Sequence, residues 1–189
     1  DSSGFLYLLN SSGKQVWNLS IGNTINDVDV GDADLSKEYE EIAVASSDNR
    51  VYLFDSSGQQ LWNYSGSSSF KGVAIGNLSS DEGNEIAAGG SDYKVYVFNS
   101  SGNLKWNTNI GTVINDVDVG DADLSKEYEE IAVAGNNGTV FLLDSNGDVL
   151  WSYDTQGPVD TVLISDITSS DVGGEIIAGS LDDRVYVLN

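Results

Sequence analysis

The sequence predicts an all-β protein of β-propeller architecture, with about four blades of four short antiparallel strands. Three observations lead there. Trp17, Trp62, Trp106 and Trp151 recur at spacings of 45, 44 and 45 residues, and Gly13, Gly58, Gly102 and Gly147 keep step with them. The segment 25–45, INDVDVGDADLSKEYEEIAVA, returns letter for letter at 114–134, a shift of 89 residues, with diluted copies at 70–89 and 159–179. The apolar stretches are short, rich in Val, Ile, Tyr and Phe, and sustain no helical period. A unit of ~45 residues holding four strand-length segments cannot bury both of its faces alone, so neighbouring units must stack.

Each unit is then read in order. The first strand is 27–30 in the strongest copy. The second, 42–45, is small and apolar throughout, as expected of a strand covered on both faces. The third is 51–54, with copies at 95–98, 140–143 and 185–188, and the fourth, such as 60–63, carries the Trp. Between third and fourth stands Asp-Ser-Ser-Gly or a close variant, a hairpin turn in which Gly supplies positive φ. The chain is one domain over 1–189, with units 21–65, 66–109 and 110–154 flanked by partial units 1–20 and 155–189. Residues 5–9 and 16–17 match a third and a fourth strand, so the count is four first, four second, five third and four fourth strands. A four-bladed ring could close with one third strand left over, either 5–9 or 184–189. The same count suits half of an eight-bladed ring, a segment of a longer array, or a homo-oligomer assembled head to tail through terminal strands. The start at Asp1, without Met, fits a processed chain or a piece of a longer one.

Composition narrows the partners. Eight basic residues face 30 acidic ones, a net charge of −22, which repels nucleic acid and acidic membrane surfaces and suits cation binding. No apolar run approaches the ~18 residues of a membrane span, so no membrane insertion is expected. The chain has no Cys and no His, which removes disulfides, thiol chemistry, the commonest general base and the commonest transition-metal ligand. Asn-x-Ser/Thr sequons at Asn10, Asn18, Asn63, Asn77, Asn99 and Asn137 favour an extracellular or cell-surface address with glycosylation available.

The candidate chemistry lies in the loop between first and second strands. Asp32, Asp34, Ser36 and Glu38 alternate along it and Glu41 enters the next strand; Asp121, Asp123, Ser125, Glu127 and Glu130 repeat the pattern. Alternate positions on an extended turn converge on one side, and a hard cation such as Ca2+ takes six to eight oxygens from a wrapping loop. A peptide carbonyl near Glu38 and the carboxylate of Glu40 or Glu41 could complete the shell. The weaker copies offer Asn77, Ser79, Asp81 and Glu85, then Asp166, Thr168, Ser170 and Glu175, with less charge and weaker expected binding. The alternative is a solvated polar turn in which Lys37 neutralises its neighbours.

This loop resembles the FG-GAP (integrin-α-type) repeat, whose pattern is roughly Asp-x-Asp/Asn-x-Asp-Gly-x-x-Asp before an apolar strand. Here Ser36 stands for the third acid, Lys37 for the turn glycine, and the loop is one residue longer. The resemblance implies a propeller with calcium in its loops. The turn-plus-Trp segment, such as LFDSSGQQLW at 53–62, resembles the blade signature of pyrroloquinoline-quinone-type propellers. That resemblance implies that each Trp docks on the neighbouring blade.

Asp27 and Asp29, repeated as Asp116 and Asp118, alternate with Val on the first strands, where the other units hold Gly72 and Ala74, then Thr161 and Leu163. First strands of propellers line the axis, so these carboxylates form either a second cation site or caps on backbone amides and channel water. The resulting expectation is a non-enzymatic adhesion or assembly module stiffened by calcium. A quinoprotein-like dehydrogenase is the alternative from another class. It needs basic groups on the axis, yet Arg50 and Arg184 both open third strands and the six lysines are scattered. A carbohydrate-binding propeller is the third reading, favoured if the Trp side chains stand exposed.

Overall fold

Strand follows strand along the whole chain because each short apolar run ends at a Gly, Asp, Asn or Ser turn. The computed structural model describes residues 3–35, 38–167 and 173–189, and every regular element among them is a β-strand. A first sheet pairs β1 (Phe5–Leu9) with β2 (Gln15–Ser20). Three four-stranded antiparallel blades follow: β3 (Ile25–Gly31), β4 (Glu41–Ser46), β5 (Arg50–Phe54) and β6 (Gln60–Ser65); β7 (Phe70–Gly76), β8 (Glu85–Gly90), β9 (Lys94–Phe98) and β10 (Leu104–Asn109); and β11 (Ile114–Gly120), β12 (Glu130–Gly135), β13 (Thr139–Leu143) and β14 (Val149–Asp154). A three-stranded sheet of β15 (Val159–Ser165), β16 (Glu175–Ser180) and β17 (Arg184–Leu188) ends the series. The register is the same in each blade, as in Val28 opposite Val44, Val44 opposite Tyr52, and Leu53 opposite Trp62.

The core is a set of seams between sheets. Val51 and Leu53 leave the first full blade on one face and meet Phe70, Tyr96 and Phe98 of the second. Val95 and Val97 of the second blade lie with Ile131 and Leu143 of the third. Val140 and Leu142 of the third lie with Val162, Ile176 and Tyr186 of the last sheet. The strict alternation of strand side chains is what lets one strand serve two seams. The inner strands β3, β7, β11 and β15 stack in sequence.

The sheets are not closed into a ring. The four-bladed closure that the strand count allowed is therefore not the observed arrangement. The two-stranded and three-stranded sheets stand at opposite ends of an open stack. Among the described residues no helix is long and apolar enough to cross a membrane.

Candidate functional site

The four Glu residues predicted as metal ligands open the second strands and are buried: Glu41, Glu85, Glu130 and Glu175. Each turns its carboxylate back into the preceding loop and accepts backbone amides there. Glu41 Oε2 accepts from Asp34 N at 3.0 Å. Glu85 Oε2 accepts from Leu78 N at 3.0 Å, and Glu175 Oε2 from Ile167 N at 3.0 Å. Glu130 Oε2 accepts from both Ala122 N and Asp123 N at 3.0 Å. A carboxylate bonded to amide donors is a strong fastener, because a charged acceptor strengthens each bond. Burial pushes the Glu41 and Glu130 carboxyls above their usual range, and the loop amides pull in the opposite direction.

The second loop holds a cation of its own. Lys105, on β10, places its ammonium 2.6 Å from Ser79 Oγ, 2.6 Å from Asp81 Oδ2 and 3.2 Å from Glu85 Oε1. Ser79 Oγ also donates to Glu85 Oε1 at 2.6 Å. Burial opposes the Lys105 charge, but the bonds to Asp81 and Glu85 outweigh it and hold the ammonium above its ordinary value. Ser79, Asp81 and Glu85, three of the four candidate ligands of this loop, are thus brought together around a positive charge that the chain itself supplies. The residue before each Trp decides this, for Leu61 and Leu150 occupy the place of Lys105 in the first and third blades. Sequence reading counted Lys105 among scattered lysines; its position before Trp106 was the available signal.

Among the described residues the first loop has no such partner for its glutamate. Glu41 Oε1 is buried and accepts no hydrogen bond from the described residues. Asp34 is half-buried beside it, while Asp32 and Glu38 are exposed and Ser36 lies outside the described residues. In the third loop Asp123 Oδ1 accepts from Ser125 N at 3.0 Å, and the Ser125 bonds hold the Asp123 carboxyl below its usual range. Asp121, Ser125 and Glu127 are exposed. In the fourth loop Asp166 is exposed, and Thr168 and Ser170 lie outside the described residues. Among the described residues no three acidic side chains gather closely enough to hold a metal ion unaided.

Glu129, the copy of the candidate ligand Glu40, ties two loops together. Glu129 Oε2 accepts from Asn77 N at 2.5 Å, and Glu129 N donates to Asn77 O at 3.0 Å. Asn77 therefore contributes its backbone, and its own side chain is exposed.

The axial carboxylates bridge blades. Asp27 Oδ2 accepts from Val73 N at 2.9 Å and Asp29 Oδ2 from Ile75 N at 2.7 Å. Asp116 Oδ2 accepts from Val162 N at 3.0 Å and Thr161 Oγ1 at 2.8 Å, and Asp118 Oδ2 from Ile164 N at 2.6 Å. Of the two alternatives, capping of backbone amides is the one observed. Desolvation, with repulsion from Asp116, pushes Asp27 up to about 6; desolvation, with repulsion from Asp29 and Asp116, pushes Asp118 up to about 6. Between the second and third blades Gly72 takes the aligned place, where a Cβ would stand 2.6 Å from Val117 N.

The Trp side chains are half-buried packing elements. Trp17 Nε1 donates to Ser56 O at 3.0 Å, Trp62 Nε1 to Ser100 O at 2.9 Å, and Trp106 Nε1 to Ser145 O at 3.0 Å, each in the hairpin turn of the next blade. An indole so placed buries its area at the seam and satisfies its one donor.

Comparison with known proteins places this architecture. The profile of the family described as "Lambda-carrageenase beta-propeller domain" matches residues 1–109 and again 97–189. The match supports a β-propeller, without showing either of the two types that the loop and turn motifs resemble. No curated protein matches the chain in sequence. Among solved structures, Saccharomyces cerevisiae Sqt1 superposes with a TM-score of 0.79 at 13% identity, over 100% of this chain and 54% of that one. BBS1N, in its complex with ARL6DN, gives a TM-score of 0.75 at 17% identity, over 98% of this chain and 53% of that one. The chain spans about half the length of these structures, and at such identity the likeness concerns the fold alone.

Proposed function

The chain belongs to the lambda-carrageenase beta-propeller domain family, and from that premise we propose that it is a non-enzymatic, extracellular or cell-surface propeller module for adhesion or structural assembly. One observation carries this reading: the buried acidic groups are engaged as fasteners. Glu41, Glu85, Glu130 and Glu175 hold loop amides, and Asp27, Asp29, Asp116 and Asp118 hold amides of the next blade. General acid–base chemistry needs a pair of acids left free to exchange protons with a substrate. The three Trp indoles bonded to turns are likewise spent on packing rather than presented as sugar platforms. An external address is supported by exposed sequon residues Asn10, Asn18, Asn63, Asn77 and Asn137.

Calcium is the subordinate part of the proposal, and it concerns the first and third loops. The second loop does not fit a metal, since Lys105 fills the position. The first loop fits better, because Glu41 Oε1 is a buried acceptor without a donor among the described residues, beside Asp34. Glu130 and Asp123 would hold the ion in the third loop, with water completing the shell.

Two measurements separate the parts. Incubation with λ-carrageenan and assay for new reducing ends should give none; release of product would overturn the non-enzymatic reading. Thermal unfolding with calcium and then with excess EDTA tests the loops. Binding at ~100-fold saturation adds ~2.7 kcal/mol per site. A calcium-dependent rise in Tm that Asp34→Ala and Asp123→Ala abolish is expected, and an unchanged Tm would remove calcium while leaving the module reading intact.

A further inference from the structure

The loops between first and second strands all stand at one end of the strands, and every Glu of the chain lies in or at the end of one of them. Both arginines, Arg50 and Arg184, open third strands at the opposite end. One loop face of the stack is therefore strongly negative. Between its first and second loops runs a groove of about 820 Å³. Asp34 and Leu35 form one wall, Asp81 and Glu82 the other, and the hairpin turn at Ser100 and Ser101 lines a third side.

Acidity alone selects no ligand, but two further observations do. The first is a carboxylate oxygen beside the groove. Glu41 holds the Asp34 amide through Oε2 at 3.0 Å, while its Oε1 is buried with no donor among the described residues. The second is the cation that the neighbouring loop already holds. Lys105 brings an ammonium to Asp81 Oδ2 on the groove wall at 2.6 Å and to Glu85 Oε1 at 3.2 Å, and Leu61 takes its place in the first blade. The first loop thus keeps the buried carboxylate of such a site, and Asp34 and Glu82 add carboxylates beyond those that Lys105 bonds. Leu35, 62% exposed, gives a methylene stem an apolar wall beside carboxylates that suit a charged head.

We propose that this groove receives a lysine side chain of a basic protein partner. The proposal rests on the reading of the chain as an adhesion or assembly module and names the partner of that module by its charge. Further repeats stack on the seams between blades, so they leave the loop face open. Repeats with this balance of eight basic to 30 acidic residues also supply little of the positive charge that the groove calls for. The net charge of −22 draws a basic partner in, and salt weakens the encounter.

An octalysine peptide titrated calorimetrically into the full chain, at ~0.15 M salt with EDTA present, tests this. Saturable binding is expected, and the fully acetylated peptide should not bind, because acetylation removes the charge. Asp34→Asn combined with Glu82→Gln should weaken binding about tenfold. Asp160→Asn combined with Asp183→Asn removes two charges from the opposite end and should change it less than about twofold. Ser101→Asp adds a carboxylate to the groove and should tighten binding. All five positions are exposed or half-buried, so far-UV circular dichroism should report an unchanged fold. Equal losses in the two double variants would reduce the effect to net charge and overturn the proposal. So would a peptide that does not bind, or a Ser101→Asp chain that binds no more tightly. None of these results touches the module reading, which the reducing-end assay decides separately.

Discussion

The indole nitrogen of Trp62 donates to the carbonyl of Ser100, 2.9 Å away in the hairpin turn of the following blade. The bond spans 38 residues of sequence and ties one repeat to the next, so its loss weakens a seam rather than a strand. Trp62→Phe should cost about 1 kcal/mol, the worth of one hydrogen bond. Trp62→Ala should cost about 3 kcal/mol, because the seam loses the ring as well. Urea unfolding of the two variants checks the difference.

The turn glycine beneath that ring sets up an internal comparison. Gly102 has φ of +80°, and a Cβ there would stand 2.7 Å from Trp62 ring atoms. Gly13 has φ of +75° in the equivalent turn, but a Cβ there meets nothing within 4 Å. Gly13→Ala should cost about 1 kcal/mol for left-handed backbone alone. Gly102→Ala should add a further ~1–2 kcal/mol for overpacking against Trp62. Equal losses in denaturant titrations would mean that the Trp does not bear on the turn.

Acid should stabilise the protein over the mild range. Asp27 and Asp118 titrate at about 6 when folded, above an unfolded value near 4. Their contribution is therefore full below pH ~4 and is lost as pH rises through about 6. Solvent screening reduces the effect to about 1 kcal/mol per carboxylate. Tm should rise between pH 8 and pH 5, and the double variant Asp27→Asn, Asp118→Asn should flatten that slope. Asp123 and Asp182, held below their usual range by Ser125 and Tyr186, oppose the trend only in stronger acid.

The residue before each Trp should decide whether a loop responds to metal. Lys105→Leu leaves Glu85 buried without its counter-charge and should cost about 1–3 kcal/mol. The same variant should make the second loop newly responsive to calcium. Leu61→Lys is the converse: an ammonium near Glu41 Oε1 should raise Tm and silence the first loop. Calcium and EDTA melts of the pair read out both directions, and identical responses in the two would detach the lysine from cation binding.

The period of ~45 residues made the blades legible, because Trp and turn Gly recur wherever the backbone must repeat. The docking of Trp17, Trp62 and Trp106 on the next blade was what the resemblance of the turn-plus-Trp segment implied. The second strands were legible for a different reason, since an unbroken run of apolar residues such as Ile42, Ala43, Val44 and Ala45 is what a strand covered on both faces carries. What the Glu residues do was not legible. A carboxylate three to nine positions after alternating oxygens reads as a ligand, yet Glu130 turns its Oε2 to two amides of its own loop. The Lys105 cluster was hidden because its partners lie 20 to 26 residues away, joined only by the pairing of the strands. The openness of the stack was hidden too, for identical residues such as Val51 and Val185 differ only in what stands beside them.

The seams alternate, and the alternation has a thermodynamic consequence. Asp27 and Asp29 fasten the first full blade to the second, and Asp116 and Asp118 fasten the third to the fourth. Gly72 brings the second and third together by close apolar approach instead. The 89-residue duplication therefore copied a two-blade package with its own proton-sensitive clasp, and the joint between packages lacks one. In a chain whose stability is a sum over neighbours, such a pattern sets the order of partial unfolding. Near neutral pH the desolvation cost of ionised Asp27 and Asp118 weakens the inside of each package, whereas in mild acid their protonation relieves that cost and the joint at Gly72 becomes the line along which the molecule first parts.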